Sequence, residues 1–224
     1  MINVRVFYHK TGRAKYISHL DIMRCMQRAV VRAGLPVWYT EGFNPHIYLT
    51  FSLPLSLGYE SESEVMDFRL IDDGYPLDEV TVRLNRSLPP DIRVVRTASP
   101  VNKPEGIAAA VYEIKASVPG RSGAALAKAF RAFMEQKEIL VEKRAKKGAR
   151  KIMKEVDIRP LCELLSCEET GNGLLIRLKT AAGIQTNLNP ALLLDAFCAY
   201  LQTEALSYSV CRKSLLLADG TDFC

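Results

Sequence analysis

Seven of the twelve residues from Lys143 to Lys154 are basic, and no acidic residue separates them. Like charges at this density repel one another, so a compact loop is disfavoured without a counter-ion, and a polyanion is the obvious one. A membrane surface fits less well, because no amphipathic stretch rich in Trp and Phe accompanies the charge. The alternative is a mobile loop that only aids solubility. We predict nucleic-acid contacts for Lys143, Arg144, Lys146, Lys147, Arg150, Lys151 and Lys154.

A second basic group lies near the N-terminus. Arg24, Arg28 and Arg32 recur every four residues, which places them on one face of a predicted helix, away from its apolar stripe. Guanidinium groups bind phosphate in a bidentate manner and stay charged, so this face is suited to a nucleic-acid backbone, although a solvated helix face is the alternative. Nearby aromatic side chains are suited to stacking on bases: Trp38, Tyr39, Phe43 and Tyr48. The remaining predicted contacts are Lys10, Arg13, Lys15, Asn44 and Arg159.

Three polar side chains are candidates for catalysis, namely His19, Asp21 and His46. If they meet in space, one imidazole can act as acid or base on a ribose 2′-hydroxyl. The alternative is structural: His19 and Asp21 would cap the first helix, and His46 would stabilise a turn. We predict no metal site and no cofactor, because the sequence has no cysteine cluster, no His-Glu-x-x-His pattern and no phosphate-loop or dinucleotide fingerprint.

Hydrophobic periodicity and turn residues predict the order β-α-β-β-α-β twice. The first half has predicted strands at 2–9, 37–40, 65–71 and 92–98, with helices at 19–33 and 77–88. The second half has predicted strands at 110–118, 161–168, 174–180 and 207–217, with helices at 122–136 and 190–201, and one further predicted strand at 139–143. The predicted fold class is therefore α+β, with tandem ferredoxin-like domains and a basic inter-domain cleft.

Pro, Gly and polar residues mark a linker at 101–106. We expect an N-terminal domain over 1–100 and a C-terminal domain over 107–224, which carries a basic insertion at 143–160. In the first helix, Ser18 is the predicted N-cap. Residues at helical spacing form the predicted buried stripe: Ile22, Met26, Ala29 and Ala33.

The composition is that of an ordinary globular protein. The chain has 224 residues, 48% of them hydrophobic and 25% charged, with a formal charge of +5, so disorder is not its main state. No apolar run approaches the roughly 18–20 residues that span a bilayer, and the N-terminus does not resemble a signal peptide. We therefore expect a cytoplasmic protein without membrane contact, whose six scattered cysteines are reduced thiols.

Three separated motifs resemble a bacterial family of unknown function, the radical SAM-linked proteins. The first is KYISHLDIMR at 15–24 with RAGLP at 32–36, the second is EGFNPH at 41–46, and the third runs from 147–148 through VDIRPL at 156–161. Two positions depart from the family pattern: Lys15 stands where Arg is expected, and Ile47 stands where Pro often follows His.

The resemblance implies association with a radical SAM enzyme, as a fused domain or as a separate partner. The chain lacks the Cys-x-x-x-Cys-x-x-Cys that would hold such an enzyme's cluster, so it is not itself that enzyme. The resemblance points to residues 18–24, 42–46 and 157–160 as the segments that the family shares. Asp157 and Arg159 then form either an internal pair that anchors the end of the basic segment, which we favour, or a ligand contact.

We therefore expect a non-catalytic RNA-binding accessory protein that works with a radical SAM enzyme in RNA modification or processing. One alternative is a metal-independent endoribonuclease that uses His19 or His46, on fold analogy with the repeat-processing nucleases of CRISPR systems. The other is a protein adaptor that docks the enzyme through the apolar stretch at 50–57. RNA and a radical SAM protein are the expected partners.

Overall fold

The chain forms two units of mixed α+β structure. The computed structural model describes residues 1–147, 150–183 and 186–224, with side chains for all of them except residues 143–152. Unit 1 comprises Met1–Ile107 and Cys211–Cys224, and unit 2 comprises Ala108–Val210. Over the described residues there are ten strands and four α-helices, which confirms the predicted α+β class. None of the helices in this part of the chain is long and apolar enough to cross a membrane.

Unit 1 contains an antiparallel sheet and two helices. Its elements are β1 (Ile2–Lys10), α1 (His19–Arg32), β2 (Thr50–Ser52), β3 (Glu60–Leu70), α2 (Leu77–Ser87) and β4 (Ile92–Ala98). β1 pairs with β3 and β4, and β2 pairs with β3, so the strand order is β4-β1-β3-β2. The order of elements along the chain is β-α-β-β-α-β, but its second strand is Thr50–Ser52 and not the predicted 37–40, which makes only isolated bridges.

The last strand, β10 (Ser207–Leu217), divides between the units. In unit 1 its residues Cys211 and Arg212 pair in parallel with Glu60 and Ser61 of β3. The sequence, in contrast, places all of 107–224 in one domain. The predicted linker at 101–106 lies within unit 1, which runs to Ile107. A returning strand has no signal in the sequence, because its pattern is the same whichever sheet it joins.

Helix α1 begins and ends where its capping residues predict. The Ser18 side chain accepts a hydrogen bond from the backbone N–H of Asp21, and Gly34 ends the helix with a φ of +62°, a conformation that favours glycine. The apolar stripe packs into the unit 1 core as predicted, and its four members are buried: Ile22, Met26, Ala29 and Ala33. The opposite side of α1 is therefore left for polar and charged residues.

In the part of unit 2 that the structure describes, the elements are β5 (Ile107–Ser117), α3 (Gly123–Met134), β6 (Leu140–Lys147), β7 (Arg150–Asp157), β8 (Cys162–Thr170), β9 (Gly173–Ala181), α4 (Pro190–Leu201) and the start of β10. β5, β8 and β9 belong to one antiparallel sheet, a hairpin forms a separate pair of strands, and there are two helices. β9 lies between β5 and β8, while β6 and β7 pair only with each other. The segment predicted as a basic insertion at 143–160 therefore contributes to a β-hairpin. We call β6 and β7 the basic hairpin.

The two helices of unit 2 meet through aromatic rings. Phe130 and Phe133 of α3 pack against Phe197 of α4, with ring centroids 4.9 Å apart for Phe130–Phe197 and 5.3 Å apart for Phe133–Phe197. All three rings are buried, and the Phe130–Phe197 pair is edge-to-face, an arrangement that adds to the free energy gained from burial. These contacts hold α3 and α4 together, and α3 leads directly into the basic hairpin.

Candidate functional site

The predicted arginine face of α1 lies on the surface of unit 1. Arg24, Arg28 and Arg32 are all exposed. The Arg24 guanidinium lies 3.1 Å from the Asp21 carboxylate, and Arg32 donates a hydrogen bond of 2.8 Å to the backbone carbonyl of Ser87. The guanidinium of Arg28 makes no hydrogen bond or ion pair with any residue that the structure describes. Of the three, Arg28 has the guanidinium that is most available to a ligand.

The three cations upstream of α1 have different surroundings. Lys10 is only 3% exposed and its ammonium donates to the backbone carbonyl of Ile17, while burial lowers its pKa. Lys15 lies 3.5 Å from the Glu60 carboxylate, and Arg13 is exposed. Lys10 is therefore not part of the predicted phosphate-binding surface, because its side chain, at the end of β1, is buried in unit 1.

A closed loop, residues 40–46, follows the segment 37–40, which was predicted as the second strand. That segment makes only single bridges, one of them between Tyr39 and Ile47 at the base of the loop. The backbone N–H of Thr40 donates to the His46 carbonyl, and the backbone N–H of His46 donates to the Thr40 hydroxyl. Phe43, within the loop, is fully exposed. The hydrogen bonds between Thr40 and His46 therefore fix the ends of the loop, and the Phe43 ring within it is exposed to solvent.

Helix α1 and the ends of this loop border an open surface pocket of about 360 Å³, which we call the α1 pocket. It is lined by Gln27, Arg28, Val31, Arg32, Tyr39, His46 and Ile47. The structure thus brings together residues that the sequence treated as separate features: two arginines of the helix face, an aromatic residue and a histidine. The Tyr39–Ile47 bridge makes this possible, since it folds the loop back toward the C-terminal half of α1.

The predicted catalytic group is not assembled. His19 stands in the first turn of α1 with its ring 5.4 Å from that of Phe51, and Asp21 binds Ser18 and Arg24. The hydrogen bond from Ser18, followed by that from Arg24, lowers the pKa of Asp21. His46 lines the same pocket as Arg28. Arg28 is nine residues after His19, which is about 14 Å along the helix. Within the described ranges no three His, Cys, Asp or Glu side chains are placed to hold a metal ion.

The aromatic candidates differ in exposure. Phe43 is fully exposed, and Tyr39 and Tyr48 are exposed over 45% and 55% of their surface. Trp38 is half-buried, with the Arg69 guanidinium 5.5 Å from the centre of its ring. Phe43, Tyr39 and Tyr48 are thus the rings on which a base can stack.

The strand register of the basic hairpin places like charges opposite one another. Lys143 pairs with Lys154, Lys146 with Lys151, and Lys147 with Arg150. Like charges directly opposite one another destabilise an antiparallel pair. Of the seven predicted contacts, Lys154 is exposed, and the side chains of the other six lie outside those that the structure describes.

Asp157 and Arg159 anchor the base of the hairpin, as favoured from the sequence, but not as an ion pair. One Asp157 carboxylate oxygen accepts the backbone N–H groups of Ile139 and Arg159, each at 2.9 Å. The Arg159 guanidinium donates to the backbone carbonyls of Met134 and Cys162, at 2.8 and 3.1 Å. Arg159 is therefore occupied in joining α3, the hairpin and β8, and it is a poor candidate for a phosphate contact.

A profile of a family of uncharacterized proteins conserved in bacteria (DUF2344) matches residues 3–190. The chain belongs to this family. The match spans the α1 pocket, the 40–46 loop and the basic hairpin, so these features all lie inside the DUF2344 region. The link to a radical SAM enzyme remains a prediction.

Among solved structures, the DUF2344 chain is similar to a chain in a structure described as the crystal structure of a Cbf5-Nop10-Gar1 complex. The two are 11% identical with a TM-score of 0.49, over 95% of this chain and 48% of that one. The present chain thus spans about half the length of the chain it matches. No curated protein matches it.

Replacing Asp157 with alanine is expected to lower the free energy of unfolding by about 1–3 kcal/mol, because two backbone N–H groups lose their acceptor. Asp157→Asn keeps an acceptor oxygen at the same place and should stay within about 0.5 kcal/mol of the natural protein. Urea unfolding followed by circular dichroism measures both. An equal loss in the two variants would show that the charge of Asp157, and not its two hydrogen bonds, stabilises the hairpin base.

A buried polar cluster in unit 1 of this DUF2344 protein was not found from the sequence. Tyr8 and Arg212 are each 1% exposed, and Glu64 is 6% exposed. Burial, with a smaller contribution from Glu64, raises the pKa of Tyr8 well above its ordinary value. Among the described residues the Tyr8 hydroxyl has no hydrogen-bond partner. No local motif marks this cluster, because Glu64 and Arg212 are 148 residues apart.

Tyr8→Phe is expected to raise the free energy of unfolding by about 1 kcal/mol at neutral pH, since it removes a buried hydroxyl without a partner. The raised pKa means that folded Tyr8 keeps its proton where the unfolded chain loses it, so the natural protein loses stability above about pH 10. Between neutral pH and about pH 10.5, the free energy of unfolding should therefore fall less for Tyr8→Phe than for the natural protein. Urea unfolding at about pH 7 and 10.5 measures this, with the exposed Tyr16→Phe as control. Parallel pH profiles for the natural protein and Tyr8→Phe would contradict it.

Proposed function

We propose that the protein binds RNA without cleaving it, as an accessory to a radical SAM enzyme that modifies or processes the RNA. The observation that carries this proposal is the register of the basic hairpin, with three pairs of cations facing one another across two strands. Such pairs cost stability in the unbound protein. A bound polyanion reverses that cost, because phosphates between the cations turn repulsion into attraction.

Unit 1 supports the same function with different chemistry. Arg28 has an unengaged guanidinium, suited to a phosphate. Phe43 and Tyr39 offer exposed rings nearby along the chain, suited to stacking on unpaired bases. A basic groove combined with aromatic platforms is the usual chemistry of proteins that bind single strands.

We also propose that both units are ferredoxin-like. The antiparallel order β4-β1-β3-β2 in unit 1 supports this, since each helix connects two strands that are not neighbours in the sheet. In unit 2, β5, α3, β8, β9 and α4 follow the same succession, with the basic hairpin inserted between α3 and β8. The basic cleft between domains stays a prediction, and the radical SAM partnership stays a proposal that rests on the sequence motifs.

The dependence of RNA affinity on salt tests this function. If four cations of the hairpin contact phosphates, the slope of log K against log salt is about −3 for a single strand. The affinity for a fluorescein-labelled oligouridylate of about twenty nucleotides should then fall roughly 50-fold between about 50 and 200 mM salt. DNA of the same length serves as competitor. An affinity that does not change with salt, or no binding at the lower salt, would overturn the proposal.

A second candidate function, endoribonuclease activity, is favoured by the hydrogen bonds of His46. Its Nδ1 lies 3.0 Å from the Asn44 carbonyl, which can only accept, so Nδ1 carries the proton and Nε2 is the basic nitrogen. Nε2 can then take the proton of a ribose 2′-hydroxyl, whose oxygen attacks the neighbouring phosphorus and displaces the 5′-oxygen, which takes a proton from water. Incubation of the oligouridylate with purified protein should then give products with cyclic phosphate ends. These should disappear in His46→Ala and persist in His19→Ala; an intact oligonucleotide rejects this candidate.

A further inference from the structure

We infer that the α1 pocket holds one unstacked base of the bound RNA, with Arg28 on a neighbouring phosphate. This inference rests on the proposed function and adds to it a specific site for a base. The pocket volume of about 360 Å³ falls at the lower end of the range typical of small-molecule sites, which suits a single flat group and not a length of strand.

The lining of the pocket is suited to a base. Ile47 is 4% exposed and buried, while Val31 and Tyr39 are exposed over 57% and 45% of their surface. A base that enters therefore covers aliphatic and aromatic surface that water now reaches. Base stacking on an aromatic ring is favourable for every base, because each has a π-face.

Polar groups surround this apolar surface. The Gln27 amide and the His46 ring can each form hydrogen bonds with the edge of a base. Arg28 brings a positive charge that no described acidic side chain neutralises, and Arg32 brings a second one. An apolar side chain of a protein partner would provide no counter-ion for these charges, whereas a nucleotide provides both a flat ring and a negatively charged phosphate. Charge complementarity thus favours a base over a protein side chain.

The contribution of one base can be isolated with two RNA backbones of about eight nucleotides. One is abasic throughout, and the other carries a single adenine near its middle. Fluorescence anisotropy at low salt measures both. The adenine should tighten binding roughly tenfold or more. Val31→Trp, which fills the pocket from an exposed position, should abolish this gain, so that the variant binds the two strands with equal affinity.

Val95→Trp is the matched control, because Val95 of β4 is 53% exposed and lies outside the pocket. It should keep the full gain from adenine, and circular dichroism shows that each variant is folded. Phe43→Ala tests the other exposed ring and should keep most of the gain.

The outcomes separate this inference from the proposed function. If the abasic strand and the oligouridylate bind but adenine adds nothing, or if Val31→Trp keeps the gain, the base site is wrong and RNA binding stands. If the gain from adenine disappears in Phe43→Ala and persists in Val31→Trp, the base binds at the 40–46 loop and not in the α1 pocket. This result also overturns the inference. If neither RNA binds, the proposed function and the base site fall together.

Discussion

Replacing Glu64 with alanine is expected to lower the free energy of unfolding by about 3–5 kcal/mol. Glu64 and Arg212 form an ion pair with an N–O distance of 2.5 Å, and their side chains are exposed over only 7% and 1% of their surface. The same guanidinium also donates to the backbone carbonyl of Leu53 at 2.9 Å. Without the carboxylate, the guanidinium stays buried and loses this ion pair, and it cannot lose its proton because an arginine is always charged.

The same two strands provide a matched control. Glu62 is paired with Lys213, one residue along β10 from Arg212, but these side chains are exposed over 39% and 27% of their surface. Glu62→Ala should cost no more than about 1 kcal/mol, because water screens that pair. Both variants remove a glutamate from β3 and differ chiefly in burial.

Urea unfolding followed by the fluorescence of Trp38, the single tryptophan of the chain, reports on unit 1. The variant Arg212→Ala should also be strongly destabilised, and the double variant should lose less than the sum of the two single losses. If Glu64→Ala costs no more than Glu62→Ala, the buried pair does not hold β10 to β3.

The helices of this protein could be predicted well from the sequence. In α1, the Ser18 cap, the four-residue stripe and Gly34 all act within one or two turns of chain, so the local pattern contains the information. Only the first strand of the basic hairpin was predicted, at 139–143, because a run made largely of cations lacks the alternation of apolar and polar residues that marks a strand.

The candidate site could be predicted in its residue types but not in its arrangement. Arg28 and His46 were both candidates, yet the sequence grouped His46 with His19, because their side chains suit the same chemistry. Which end of α1 the loop approaches depends on one backbone bridge, between Tyr39 and Ile47. A contact of this kind is decided by how the whole unit packs, and no spacing in the chain shows it.

The second large effect concerns the basic hairpin. The triple variant Lys143→Gln, Lys146→Gln and Lys147→Gln should bind the oligouridylate roughly 50-fold more weakly at about 0.15 M salt, because three phosphate contacts are lost. The salt slope should become shallower by about 2. The matched control is Lys115→Gln, Lys128→Gln and Lys137→Gln, which changes the net charge of the exposed surface of unit 2 by the same amount. That control should leave the slope unchanged.

The stability of the triple variant should change in the opposite direction to its affinity. Each lysine that is replaced on β6 faces a cation on β7, so the substitutions relieve three repulsions, each costing about 0.2–1 kcal/mol. A variant that unfolds at higher urea and yet binds RNA more weakly cannot owe its weak binding to a damaged fold. If the triple variant is less stable, the facing cations are not strained in the unbound protein, and the argument that a polyanion completes the hairpin fails.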